Sequence, residues 1–267
     1  MNTLFSRSGG ATLLILALLF SATAHGGAPQ TGPRSPSETV REFYKAMRER
    51  RIREAFAMSI YKPAIDGLKP QEFDDLRPDF EKMAAVVPET IEINGEQISG
   101  DEATVFVKVP DPEKGPQPEP VALMLVKGAW IIGDKATQEM VKKAGKAFFF
   151  NARIDMHHSE VQELLRRIPV VQIVYSQQHS GVFADLATLI NVGLMPKDIE
   201  GTESTGYRFH MALAPDAKSY TAGAEPVRYG KTGRLSFFID HTGMVKSADT
   251  GGKPLTAEVL KKDAPKK

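Results

Sequence analysis

The chain of 267 residues contains no cysteine. Disulfide bonds, thiol nucleophiles, cysteine-ligated zinc and iron–sulfur clusters are thereby excluded. So is a bacterial lipoprotein anchor, which needs a lipidated cysteine behind its signal. Charge of one sign is lacking too: 34 basic residues face 33 acidic ones. Arg7 is the only charged residue among the first 24, so their removal leaves the balance at zero. Nucleic acid is not an expected partner, because phosphate binding draws on an excess of positive charge over one face. Histidine is scarce, at six, and none falls between Ser35 and Lys135. No Gly-x-Ser-x-Gly elbow occurs. Beyond residue 24 no apolar run approaches the roughly 20 residues that span a bilayer.

What is present opens with an export signal. Arg7 supplies a positive start, Ala11 to Phe20 an apolar run, and Ala22-Thr23-Ala24 a small-x-small cleavage pattern. The run is shorter than a membrane span, so cleavage after Ala24 is expected, with a retained anchor as the lesser alternative. The whole chain is 42% hydrophobic and 25% charged, a globular balance with enough length for two ordinary domains. Residues 25–35 are rich in Gly and Pro and read as a flexible leader.

Ser35, Pro36 and Glu38 make a helix start, followed by Val40, Phe43, Tyr44 and Met47 at helical spacing. The stripe resumes at Ile52, Ala55 and Phe56. A second helix is expected over Gln71–Val86, interrupted by Pro78. Strands follow at 90–93 and 103–109, with Asn94-Gly95 and Gly100-Asp101 as turns. Asp111 to Pro120 holds four prolines and reads as a loop. Lys127-Gly128 joins two further strands as a tight hairpin. Helices first, then an antiparallel sheet ending in the Trp130 hairpin, resembles the nuclear-transport-factor-like (cystatin-like) cone over residues 36–135. That family includes binding modules, isomerases and dehydratases, so the resemblance implies a fold and no function.

The second half begins with a connecting segment, 136–158, helical over Thr137–Phe150. A new helix opens at Ser159 with Gln162 as its box partner, carries Val161, Leu164, Leu165, Ile168, Gln172 and Tyr175, and meets a break at Pro169. A shorter helix, Val182–Val192, closes on Gly193. Three strand candidates then lie between Tyr207 and Asp249. A helix exiting at Tyr175-Ser176-Gln177, the short helix before Pro196, and a final pair turning between Asp240 and Gly243 together resemble the globular head of type IV pilins and type II secretion pseudopilins. The resemblance covers 159–250. It implies an assembly or binding module whose partners are envelope proteins such as pilus or secretion-system subunits. No prepilin peptidase site and no glutamate-bearing apolar helix precedes Val161, so polymerisation through a buried helical core is not expected. Residues 251–267 read as a polar, lysine-rich tail.

Several groups invite chemistry. His157-His158 suggest a metal, with Asp155 as a helper, but adjacent residues point about 100° apart on a helix and no third ligand stands at metal-site spacing. Gly230-Lys231-Thr232 suggests a phosphate loop, but Glu225 stands where the first glycine is needed and strands flank the motif. The Arg48, Arg50, Arg51, Arg53 run is interleaved with Glu49 and Glu54 and reads as a solvated face. Tyr61, Asp66, Asp74 and Asp75 are the cone's candidates for acid–base work, and Trp130, Tyr207, Tyr220 and Tyr229 for an aromatic surface. None forms a pattern strong enough to assign a catalytic, cofactor or metal site. The expectation is an exported α+β protein of two small domains, non-catalytic, serving interaction or scaffolding in the bacterial cell envelope. Binding of a small ligand in the cone's pocket is the alternative. An unrecognised isomerase or hydrolase comes third.

Overall fold

The computed structural model describes residues 34–109, 115, 117–202 and 205–262. The expected signal, residues 1–24, and nearly all of the leader lie outside them. The chain forms two compact units, Met1–Phe148 and Phe149–Lys267. Both are α+β, and each contains a four-stranded antiparallel sheet whose strands follow chain order.

The first unit opens with α1 (Pro36–Arg48). Its start is the reciprocal cap expected from sequence. The Glu38 N–H donates to Ser35 Oγ at 3.2 Å, and the Ser35 N–H donates to the Glu38 carboxylate at 2.8 Å. Val40, Phe43, Tyr44 and Met47 are its buried stripe. Next come α2 (Ile52–Ala57), α3 (Lys62–Asp66) and α4 (Pro70–Ala85). Pro78 does not interrupt α4. It is exposed, while Leu76, Phe80 and Ala84 are buried on either side of it and hold the helix through the missing hydrogen bond.

The first sheet contains β1 (Glu92–Ser99), β2 (Glu102–Val109), β3 (Gln117–Val126) and β4 (Ala129–Ile132). Gly100-Asp101 and Lys127-Gly128 are its tight turns. Asn94-Gly95 is not a turn: β1 runs through it as a bulge, with the register shifting between Ile93 and Gly95. The expected loop is also shorter than read, since β3 begins at Gln117 and includes Pro118 and Pro120. The register explains their tolerance. The Leu125 N–H donates to the Asp101 carbonyl at 2.8 Å, which makes 103/123, 105/121 and 107/119 the hydrogen-bonded pairs. Pro118 and Pro120 face Lys108 and Phe106 in the intervening positions, where their nitrogens point away from β2 and no ladder bond is lost. Helix α5 (Lys135–Ala144) follows, capped by the Asp134 side chain.

The second unit is built on α6 (Phe148–Gln178), one continuous helix. The connecting helix expected over Thr137–Phe150 is largely α5, which ends at Ala144, whereas no separate helix opens at Ser159, because α6 runs through it and carries Pro169 without interruption. Leu165 and Ile168 before the proline and Val171 and Gln172 after it are all buried. Packing on both sides outweighs the roughly 3 kcal/mol that an internal proline costs. Helix α7 is shorter than expected, Leu186–Asn191, capped by Asp185. The sheet consists of β5 (Tyr207–Leu213), β6 (Tyr220–Pro226), β7 (Ser236–Asp240) and β8 (Lys246–Ala248). Val161, Leu165 and Ile168 of α6 share one core with Leu189, Tyr207, Ala224, Phe237 and Ile239. The expected polar tail is partly structured: Leu255 is buried, and α8 spans Ala257–Lys262.

Candidate functional site

In the first unit, the residues singled out for acid–base chemistry do not converge. Asp66 pairs with Lys62 and Asp74 with Arg77, each one turn away and exposed. Asp75 is half-buried on α4. Tyr61 is buried, its ring 5.8 Å from Phe56 and 5.3 Å from Phe148. Further rings share this core, with Phe56 packed against Phe43 and Phe80 and Tyr44 against Phe43. Burial, with Glu119 second, pushes the Tyr44 phenol up to about 12. The arginine run is largely engaged. Arg51 is bonded by Glu42, Glu49 and Glu54. Arg53 donates to the Ile65 carbonyl at 2.9 Å and lies over the Phe73 ring.

His157 and His158 stand in the middle of α6, not at a helix start, and both hold the 228–235 segment. The His157 Nδ1–H donates to the Thr232 carbonyl at 2.8 Å. His158 Nε2 accepts from the Arg234 and Leu235 N–H groups at 3.2 and 3.3 Å, and its ring packs on Tyr207 and Phe237. Among the described residues, no three potential ligands gather for a metal. Burial lowers the His158 pKa below 6.5, with His157 and Arg234 adding to that and Asp155 opposing it. The neutral ring is therefore favoured by folding. Its contribution to stability is complete above pH 6.5 and is lost as pH falls through the lower folded value. We expect the second unit to lose stability on acidification from pH 7 to 5, and His158→Phe to flatten that part of the profile in melts taken across the range.

Gly230-Lys231-Thr232 closes on itself. The Gly230 N–H donates to the Gly233 carbonyl at 2.8 Å, and Thr232 Oγ1 accepts from the Arg228 N–H at 3.1 Å. Tyr207 and Tyr220 are core residues, Tyr229 is exposed, and Trp130 belongs to β4 of the first unit.

The sheet of the second unit carries a constellation not singled out from sequence. On its face away from α6, Arg208 and His210 of β5 stand beside Glu225 of β6. Glu225 is buried, with its side chain 8% exposed. Its Oε1 lies 3.7 Å from Arg208 Nη1, and its Oε2 lies 3.1 Å from His210 Nδ1. The Nδ1 contact is a close approach that is not aligned as a hydrogen bond, so Oε2 accepts none. His210 faces Gly223 across the ladder. A Cβ at Gly223 would sit 2.7 Å from His210 Nε2, so only glycine lets the ring lie on the sheet. Beside it is a cavity of about 420 Å³, walled by His210, Thr221 and Phe238 and bounded by Leu255, Thr256 and Glu258 from the C-terminal segment. The signal for this pairing was present in the alternation of β5. The 15-residue offset from His210 to Glu225 is interpretable only once the 214–219 connection is known to be a hairpin.

The edge of this sheet is equally specific. The N–H groups of Val227 and Ala214 donate to the carbonyls of Gly206 and Ser219, flanking the β5–β6 ladder. They fix 208/225, 210/223 and 212/221 as the hydrogen-bonded pairs of the register. The backbone groups of Phe209, Met211 and Leu213 therefore point out of the sheet, where no described strand pairs with β5. Their side chains are half-buried against the core.

No protein-family model matches the chain, and no curated protein does. A solved structure from Campylobacter jejuni, provisionally described as an NTF2-like transpeptidase, is similar at 15% sequence identity, over 38% of this chain and 100% of that one, with a TM-score of 0.28. Likeness at that level carries no argument about activity, and the functional reading rests on the geometry above.

Proposed function

We propose that this chain is an exported, non-catalytic interaction or scaffolding protein of the bacterial cell envelope, docking through the β5 edge of a second unit that resembles a pilin head. The observation that carries the reading is the row of backbone donors and acceptors at Phe209, Met211 and Leu213, a template for one further strand. Half-buried apolar side chains at the same residues add area that an incoming strand would cover. The export signal at Arg7 to Ala24 supports the compartment. Among the described residues, no helix is long and apolar enough to cross a membrane.

The test is capture of partners by crosslinking in the source cells, read by mass spectrometry. Met211→Pro removes an outward N–H and leaves the β6 ladder intact. Met211→Ala removes the same packing and keeps the N–H. Capture of pilus, secretion-system or other envelope subunits should fall roughly tenfold with proline, as expected for loss of one backbone hydrogen bond whose acceptor is left unpaired, and persist with alanine. Equal capture by the two variants would sink the reading.

A further inference from the structure

The cavity on the outer face of the second sheet has no part in strand docking. Its volume of about 420 Å³ falls within the range of small-molecule sites, roughly 300–1,000 Å³. Phe238, Leu255 and Ala257 supply an apolar wall. His210, Thr221, Thr256 and Glu258 supply polar groups around it. That is the composition of a ligand site: an apolar body with a few polar groups around its wall.

The chemistry of the polar groups narrows the ligand. His210 Nδ1 faces the Glu225 carboxylate at 3.1 Å. The contact is not aligned as a hydrogen bond, but at that distance the carboxylate repels a ring lone pair and attracts an N–H, which places the ring proton on Nδ1. In the neutral ring Nε2 is then an acceptor, and Nε2 is the atom lying over Gly223, on the row that leads to Phe238. Glu258 is also an acceptor, and the two threonine hydroxyls accept as readily as they donate. Glu258 is the one permanent charge among the lining residues, and it is negative.

We propose that this cavity binds a small primary amine with an apolar body, its ammonium group donating to Glu258 and His210 Nε2 and its body lying against Phe238 and Leu255. Glu225 acts as a positioning residue that sets the tautomer of His210 and does not touch the ligand. Gly223 permits the ring to lie where Nε2 serves the cavity.

The experiment is a titration of the purified protein with 2-phenylethylamine, followed by the ring resonances of isotope-labelled histidine. His210→Gln assigns the His210 signals among the six histidines. A saturable shift confined to His210 is expected. Glu258→Gln, at an exposed position, should fold normally and weaken binding roughly fivefold, the size of one solvent-accessible charge pair. Phenylacetate, with the same body and opposite charge, should give no saturable shift. The proposal is overturned by equal or tighter binding of phenylacetate, by an unchanged affinity in Glu258→Gln, or by the absence of any saturable shift at His210 with the amine.

Discussion

Phe56→Ala should strongly destabilise the first unit and leave the second standing. Phe56 is fully buried, and its ring meets those of Phe43, Tyr61 and Phe80 at centroid distances of 6.4, 5.8 and 5.7 Å. Removing a ring at such a position costs about 3–5 kcal/mol, because the transfer term is joined by a cavity that rigid neighbours cannot fill. That is a large share of the stability of a domain of this size. Trp130 is the only tryptophan and lies on β4 of the first unit, so its fluorescence reports that unit alone. Its transition should move to much lower denaturant concentration, while the circular-dichroism signal that remains after it, supplied by the second unit, melts where it does in the wild type. A single shifted transition seen by both probes would mean that the two units do not unfold independently.

The second large effect is expected at Gly233. A Cβ there would sit 1.9 Å from Tyr207 Oη and 2.4 Å from Cζ. Tyr207 cannot give way, since it is completely buried and its hydroxyl donates to the Leu235 carbonyl at 2.8 Å. Gly233→Ala therefore forces either the ring or the loop to move. Overpacking costs about 1–3 kcal/mol, and a displaced hydroxyl left without its acceptor adds about 1–3 kcal/mol more. Loss of roughly 2–6 kcal/mol from the second unit should appear in its chemical denaturation, with Trp130 fluorescence unchanged. Tyr207→Leu in the Gly233→Ala background should recover part of the loss, since it removes the atoms in conflict. A Gly233→Ala protein as stable as wild type would show that the loop has room to relax.

Much of the architecture is legible in the sequence because its signals are local. Ser35, Pro36 and Glu38 announce α1 within four residues, and Lys127-Gly128 announces the β3–β4 hairpin within two. The misreadings occur where a tertiary partner overrules a local breaker. Pro78 and Pro169 remain inside helices because apolar residues on both sides are buried, and no local pattern shows that burial. Pro118 and Pro120 enter β3 because their nitrogens point away from β2, a fact of register. Asn94-Gly95 has the composition of a hairpin turn, yet it bulges because β2 already pairs on both sides of it. Leu255 looked like part of a tail, since one apolar residue among lysines carries no periodicity. The site was less legible still. His210 and Glu225 become neighbours only through the β5–β6 register, and the two histidines that attract attention in the sequence, His157 and His158, serve to fasten a loop.

The order of strands has a kinetic consequence. In both sheets every strand pairs with its neighbour in the chain, so no ladder waits for a strand that arrives much later. Loop-closure entropy is small for each step, and sheets of this kind assemble early relative to topologies with long-range pairing. During synthesis the strands through Ile132 emerge together, before α6 begins at Phe148. The first unit can thus complete its sheet while the second is still being translated, which shortens the time that two sets of unpaired edges coexist and lowers the chance of pairing between the wrong ones.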